Sequence, residues 1–221
     1  MLLNTTISLG LDYTADAGGS IIITSIGSCQ DSDITIPQYI EGKTVTAIAD
    51  KAFWGLAQIR SVKLPPSVSR IGKCAFAWCR NLEFVSAQNI MEIDDKAFIG
   101  CDSLSDLGLG RRLRRIGAKA FANCPSLTSA QLPDSITQMG VSVFEGCRNL
   151  DTVILPRSLK IIENGTFYAC TGLRRIQLPD DLRYVDEYAF AFCESLDRLT
   201  VSKSTVINKD AFFSSNTQIA S

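Results

Sequence analysis

The stretch LTSAQLPDSITQMGVSVFEGC, residues 127–147, decides the fold because the chain repeats it. Eight phenylalanines of the chain have Ile, Val or Met five residues before them, and six of these eight have a cysteine three residues after them. Apolar columns on one period predict a solenoid, because a unit this short can bury its apolar side only against neighbouring units. The eight phenylalanines, spaced by 22 or 23 residues, are Phe53, Phe76, Phe98, Phe121, Phe144, Phe167, Phe190 and Phe212.

Each unit contains one strand signal and one turn signal. Leu127, Ala130 and Leu132 follow the pattern L-x-x-L-x-L, whose last part alternates with period 2, and Pro133 ends the strand. The stretch from Ile116 to Leu127 has apolar residues spaced by three to four, which predicts a tight turn or short helix on the opposite side. Because every unit repeats the same path, the strands should be parallel and about 4.8 Å apart.

Composition excludes several functional classes. The chain has 221 residues, a net charge of −1 and no histidine. A near-neutral chain lacks the electrostatic signature of nucleic-acid binding, and without histidine it can form neither a Ser-His-Asp triad nor a histidine metal site. No window approaches 18 apolar residues, so no membrane insertion is predicted, and Met1–Thr6 lack the basic start of a signal peptide. We predict no enzymatic activity, no cofactor and no metal.

The repeat resembles that of the BspA-type leucine-rich repeat family, which is close to L-x-x-I-x-L-P-x-S-V-x-x-I-G-x-x-A-F-x-x-C. The matching residues in the quoted stretch are Leu132-Pro133, Ser135-Ile136, Met139-Gly140, Phe144 and Cys147, and the likeness covers about residues 34–215.

The resemblance implies a curved, right-handed leucine-rich-repeat solenoid of about eight 22–23-residue repeats. Its parallel sheet would lie on the concave side, with short helical or irregular turns opposite. An N-terminal β-hairpin cap would occupy residues 1–33, and one continuous solenoid domain residues 34–221. The family implies binding, commonly at microbial surfaces, and no shared catalytic residues. If the chain is part of a longer protein, the resemblance suggests a cell-surface or secreted location.

The outward positions of successive strands define a concave strip, which is the usual binding face of a solenoid. We expect its partner to be a protein or a glycan, with Phe84 and Ile154 exposed as candidate anchors. The alternative for Phe84 is a degenerate repeat in which Ala87-Gln88 replaces Leu-Pro. The strip comprises Lys63, Phe84, Ser86, Asp106, Gln131, Ile154, Arg175, Gln177 and Arg198.

A basic edge is a second candidate site. Arginine forks suit phosphate-rich or sulfated polymers, while the alternative is a solvated edge that keeps the solenoid soluble. Leu113 should point inward, and the acidic pair Asp94-Asp95 should be a solvated turn. The basic edge comprises Arg111, Arg112, Arg114, Arg115, Lys160 and Arg183.

The eight cysteines admit three interpretations. Six of them share one column, which favours reduced core thiols packed as small apolar groups. Disulfides between neighbouring repeats and a metal site are the alternatives, although no C-x-x-C spacing occurs. Cys29, in the cap, is expected to be the most exposed thiol.

The C-terminal end suggests self-association. After Phe212-Phe213 the chain shows no further L-x-x-L-x-L strand and no polar cap, so we expect end-to-end contact around Phe190, Phe212 and Phe213. This keeps open a role as a structural spacer or assembly segment of a larger protein. Asn4-Thr5-Thr6 and Asn164-Gly165-Thr166 match the N-glycosylation pattern, although Thr166 should face the core.

Overall fold

A computed structural model describes residues 7–220 as a parallel β-solenoid of about nine turns. The predictions about Met1–Thr6, including the Asn4 glycosylation pattern, lie outside the described residues. Within residues 7–220 there are nineteen strands and no helix. The strands are β1 Asp12–Ala15, β2 Ile21–Ser25, β3 Asp33–Thr35, β4 Tyr39–Ile40, β5 Lys43–Ile48, β6 Ser61–Lys63, β7 Arg70–Ile71, β8 Phe84–Val85, β9 Glu92–Ile93, β10 Arg115–Ile116, β11 Ser129–Gln131, β12 Gln138–Met139, β13 Thr152–Ile154, β14 Ile161–Ile162, β15 Arg175–Gln177, β16 Tyr184–Val185, β17 Arg198–Thr200, β18 Val206–Ile207 and β19 Gln218–Ala220.

The predicted L-x-x-L-x-L strands lie along one side of the solenoid, and we call them the first ladder. Their pairing is broken between β8 and β11 and between β15 and β17. The first ladder consists of three parallel segments, β3-β6-β8, β11-β13-β15 and β17-β19. In the middle segment Ala130 lies beside Val153, and Val153 beside Ile176. The inward residue of each strand therefore stacks on its equivalent in the next turn, and the predicted leucine-rich-repeat solenoid is confirmed.

A second ladder runs along another side of the solenoid. It contains β2-β5-β7-β9-β10-β12 and then β14-β16-β18, with Ile116 beside Ile93 and Met139. The tight turn predicted over the stretch from Ile116 to Leu127 occupies residues 118–123 and is not helical, whereas Ile116 itself belongs to strand β10. Most strands of this ladder have only two residues, too few to show a period-2 alternation in the sequence.

The turn around each anchor phenylalanine forms a third hydrogen-bonded row, and we call each such segment a Phe turn. Lys119, Phe121 and Asn123 donate their N–H groups to the carbonyls of Val141, Val143 and Glu145 in the next turn. Lys119 and Asn123 both have φ of 55°, the left-handed region, so the chain bends sharply on either side of Phe121. In this row the backbone N–H donors therefore face the C-terminal end of the solenoid, and the carbonyl acceptors face its N-terminal end.

The core is a stack of parallel phenylalanine rings. Neighbouring ring centroids lie 5.1 Å apart at Phe53–Phe76 and 5.8 Å apart at Phe144–Phe167. One hydrophobic cluster extends from Leu11 to Ala211 and includes Leu113, as predicted. Thr166 is also buried, as predicted, and donates its hydroxyl to the carbonyl of Glu163 at 2.7 Å.

The first ladder is interrupted between β8 and β11. Gly108 has φ of 52°, and a Cβ there would lie 2.5 Å from the carbonyl oxygen of Val85. A Cβ at Gly110 would overlap the carbonyl of Gln88. The chain at Gly108 and Gly110 therefore packs directly against the backbone of residues 85–88, and Asp106 accepts the N–H of Gly108 at 2.9 Å in a local turn. The bridge Phe84–Asp106 and the hydrogen bond from the Ser105 N–H to the Glu83 carbonyl, at 3.2 Å, join β8 to the irregular segment that follows it.

Both ends of the solenoid carry extra strands. At the N-terminus β1 and β2 form the predicted antiparallel hairpin, and β2 pairs in parallel with β5. At the C-terminus β19 pairs with β17. The prediction that no strand follows Phe213 is therefore wrong, because backbone pairing builds β19 from Gln218-Ile219-Ala220, which lacks the leucine pattern.

Candidate functional site

The break in the first ladder opens a groove of about 1120 Å³, which we call the first-ladder groove. Gln131, Ile154 and Gln177 lie side by side on β11, β13 and β15 and line it. Asp106 lines it from the break and Arg111 from the following turn. The structure thus brings four residues of the concave strip together with one residue of the basic edge.

The remaining residues of the concave strip lie outside this groove. Lys63 is exposed on β6, and Ser86 accepts the N–H of Leu64 at 2.8 Å. Phe84 is half-buried, contrary to the expectation that it is exposed. A Cβ at Gly108 would lie 3.1 Å from Cε2 of Phe84, so the ring covers the glycine at the ladder break. Of the two expected anchors, only Ile154 is exposed.

Arg175 and Arg198 extend the concave strip toward the C-terminus, and both are exposed. Nη2 of Arg175 lies 2.8 Å from Asp151, and Nη1 of Arg174 lies 3.0 Å from the same carboxylate. Hydrogen bonds from Arg175, Thr152 and Arg174 hold the pKa of Asp151 well below its usual range. The Arg175 charge is therefore shared with a carboxylate of its own solenoid.

The basic edge is divided between two places. Arg111 lines the first-ladder groove, whereas Arg115 and Lys160 line a second groove of about 450 Å³ on the second ladder. Arg115 is paired with Asp94 at 2.6 Å, and Lys160 with Asp181 at 3.0 Å. Among residues 7–220, four members of the basic edge are exposed and form no ion pair: Arg111, Arg112, Arg114 and Arg183. Arg183 lies one turn beyond Lys160.

Asp94 is a feature that the sequence interpretation missed. It is buried rather than solvated, and it pairs with both Arg70 and Arg115 across neighbouring turns of the second ladder. Its position in the repeat was the one sequence signal for this burial, because Asp94 follows Ile93 where three other repeats have a glycine. The carboxylate reaches the turns on both sides, where it meets Arg70 and Arg115. The pairing compensates for the burial of its charge.

The cysteine column is buried, as predicted, but its thiols do more than fill space. Each donates to the carbonyl of the anchor phenylalanine one turn before its own, for example Cys147 to Phe121 at 3.1 Å and Cys79 to Phe53 at 2.9 Å. Burial raises the pKa of Cys79, Cys147 and Cys193 to about 12. It raises the pKa of Cys101, Cys124 and Cys170 well above the ordinary value.

The prediction that Cys29 is the most exposed thiol is wrong. Cys29 is buried, while Cys74, just before the second repeat's phenylalanine, is half-buried. The chain at Gly10 crosses the cap loop, where Ser28 donates its N–H to the carbonyl of Gly10 at 2.9 Å. A loop position that looks free in the sequence is therefore covered by a distant segment.

Native alkylation should reveal this order of thiols. Iodoacetamide at pH 8 is expected to modify Cys74 of the folded protein first and the column thiols last. Buried thiols with raised pKa values carry little of the reactive thiolate. Peptide mass spectrometry over a time course measures the order. Rapid modification of Cys101, Cys124, Cys147 and Cys170 in the folded state would contradict the buried column.

Two kinds of site are absent from the described part of the chain. Residues 7–220 contain no cluster of three His, Cys, Asp or Glu side chains that could hold a metal ion. In the same residues no helix is long and apolar enough to span a membrane.

The repeat geometry agrees with a known family. The family model for the BspA type leucine-rich repeat region matches in six copies over residues 27–150 and 91–220. The chain belongs to the BspA-type leucine-rich repeat family. BspA-type proteins and the leucine-rich repeat proteins of similar structure are non-enzymatic repeat proteins.

Two solved structures of leucine-rich repeat proteins are similar to this chain. The T. pallidum leucine-rich repeat protein TpLRR is 31% identical, with a TM-score of 0.82 over 86% of this chain and 90% of its own. A leucine-rich repeat protein from Bacteroides ovatus is 23% identical, with a TM-score of 0.71 over 94% of this chain and 62% of its own, and shows the same fold. No curated protein matches this BspA-type chain.

Proposed function

We propose that the chain is a non-catalytic binding module that recognises a partner through the first-ladder groove. The observation that carries the proposal is the row Gln131–Ile154–Gln177, in which an exposed apolar side chain lies between two amides. A central apolar anchor surrounded by hydrogen-bonding groups is the usual arrangement of a protein-binding surface. Membership of the BspA-type family supports an adhesin-like, surface-associated role as part of this proposal.

The groove favours a protein segment over a glycan. Charges of both signs surround the row, from Asp106, Arg111, Asp134 and Arg157. Such a mixed rim suits the alternating charges and apolar side chains of a peptide. The residues that line the groove include no aromatic side chain on which a sugar ring would stack, and the ring of Phe84 is engaged at Gly108.

Two isoleucines provide a matched test. Ile154 is 37% exposed in the groove, and Ile161 is 41% exposed on β14 of the second ladder. Peptides selected from a random display library against the wild-type protein should bind Ile154→Lys at least about tenfold more weakly, because a charge replaces the anchor. Ile161→Lys should bind the same peptides with unchanged affinity, measured by calorimetry or biolayer interferometry.

The outcomes separate the possible partners. Selected peptides that bind Ile154→Lys as tightly as the wild type would overturn the groove as the binding site. A glycan array probed in parallel decides the ligand class. Ligands obtained only from that array, and lost in Ile154→Lys, would contradict the choice of a protein segment.

A further inference from the structure

Within residues 7–220, the core columns become more exposed in the last turn of the solenoid. Ile219 is 44% exposed, whereas its neighbour in the previous turn, Leu199, is buried. Ile207 and Phe212 are half-buried, although the same columns are fully buried one turn earlier. We call the surface formed by Ile207, Phe212 and Ile219 the terminal face.

Two backbone donors of the last turn lack an acceptor among the described residues. Phe190 and Phe192 donate their N–H groups to the carbonyls of Ala211 and Phe213 at 2.8 and 2.9 Å. The equivalent N–H groups of Phe212 and Ser214 have no acceptor within residues 7–220. The terminal face therefore combines exposed apolar side chains with N–H donors that have no acceptor in the described part of the chain.

The opposite end of the first ladder also carries exposed apolar residues. The Ser8 N–H donates to the Thr35 carbonyl at 2.9 Å, and the Ser8 hydroxyl accepts the Thr35 N–H at 3.0 Å, so this segment lies along the outer edge of β3. On either side of Ser8 the side chains point outward, with Leu9 76% exposed and Ile7 47% exposed. Each end of the first ladder thus presents an apolar surface.

The two ends differ in charge. Residues 7–42 contain no lysine or arginine but five exposed carboxylates, of which only Asp33 takes part in an ion pair, with Arg60: Asp12, Asp16, Asp31, Asp33 and Glu41. Residues 198–220 carry Arg198, Lys203 and Lys209, all exposed, against the single carboxylate of Asp210. An acidic end and a basic end attract each other when they face, whereas two basic ends repel.

We propose that the terminal face of one copy binds the N-terminal end of a second copy, head to tail, with Ile219 against Leu9. Tail-to-tail contact is disfavoured because it would bring two basic turns together and place N–H donors opposite donors. Phe190, expected at this contact from the sequence, is fully buried and takes no part, while Phe213 is exposed beside the face. A head-to-tail contact does not close on itself, so it should build rods that lengthen with concentration.

Two complementary variants test this polarity. Ile219→Asp blocks the terminal face and leaves the N-terminal end intact, and Leu9→Lys does the reverse. Sedimentation velocity should show wild-type mass growing with concentration and falling with added salt, while each variant alone stays monomeric. An equimolar mixture of the two variants should form a dimer of twice the monomer mass, because one intact end of each kind remains.

Three other outcomes would overturn the proposal. A wild-type monomer at all concentrations, or a mixture that stays monomeric, would show that the ends do not bind. Dimers of Leu9→Lys alone would show tail-to-tail contact instead. Ile154→Lys serves as the control and should associate like the wild type, because its groove lies on the side of the solenoid. A failure of the proposed groove therefore remains distinguishable from a failure of this contact.

Discussion

Raising the pH above about 9 is expected to unfold this protein steeply. Below the ordinary thiol pKa of about 8.5, the column thiols hold their protons in both the folded and the unfolded chain, so they add no pH dependence. Above it the unfolded chain releases these protons, whereas the folded chain retains them until about pH 12 at Cys79, Cys147 and Cys193. The raised pKa values therefore stabilise the fold at neutral pH relative to alkaline pH.

The size of this effect follows from proton linkage. Each thiol lowers the free energy of unfolding by about 1.4 kcal/mol per pH unit once its unfolded form is ionised. Six thiols acting together give a slope of about 8 kcal/mol per pH unit, against a total stability of about 5–15 kcal/mol for a typical domain. We expect the free energy of unfolding to reach zero at about pH 10. Urea titrations under reducing conditions at a series of pH values measure it.

A triple variant isolates the thiols from other groups that titrate. Cys124→Ala, Cys147→Ala and Cys170→Ala together remove half of the column but leave every lysine and tyrosine in place. The slope of the free energy of unfolding against pH should then fall to about half its wild-type value. Equal slopes in the two proteins would show that groups other than the column control alkaline unfolding.

Phe121→Ala is expected to lower the free energy of unfolding by about 3–5 kcal/mol. The Phe121 ring is buried in the middle of the stack, 5.4 Å from the ring of Phe98 and 5.7 Å from that of Phe144. Its removal leaves a cavity between two turns and interrupts the contact that joins them. Because each turn is stabilised mainly by its neighbours, amide exchange should also accelerate in the turns of Phe98 and Phe144.

Phe213→Ala is the matched control for this substitution. Phe213 is half-exposed. Its ring meets those of Phe192 and Tyr188 edge-on, with ring centroids 5.7 and 6.1 Å apart. Its loss should cost about 1 kcal/mol or less in the same urea titration, at concentrations where the protein is monomeric. A loss below about 1 kcal/mol at Phe121 would contradict the buried stack.

The candidate site was only partly predictable. Gln131, Ile154 and Gln177 could be placed together because their strands share one register, which the spacing of the leucines already determines. The groove could not be predicted, because it depends on the path of the irregular segment 105–111, which lines the groove without pairing to β11. The division of the basic edge was equally hidden, since Arg115 finds its partner in Asp94 on a neighbouring turn.

The sequence by itself determined the repeat, the inward columns and the parallel first ladder. A side chain that recurs every 22 or 23 residues meets its own equivalent on the next turn, so periodicity alone specifies the packing. Only the tertiary structure decided the second ladder, the burial of Cys29 and the added strand β19. The Ile, Val or Met column before each phenylalanine shows an inward position of the second ladder but not a strand, because most of its strands have only two residues. The burial of Cys29 and the pairing of β19 depend on distant segments and backbone hydrogen bonds, which leave no side-chain pattern.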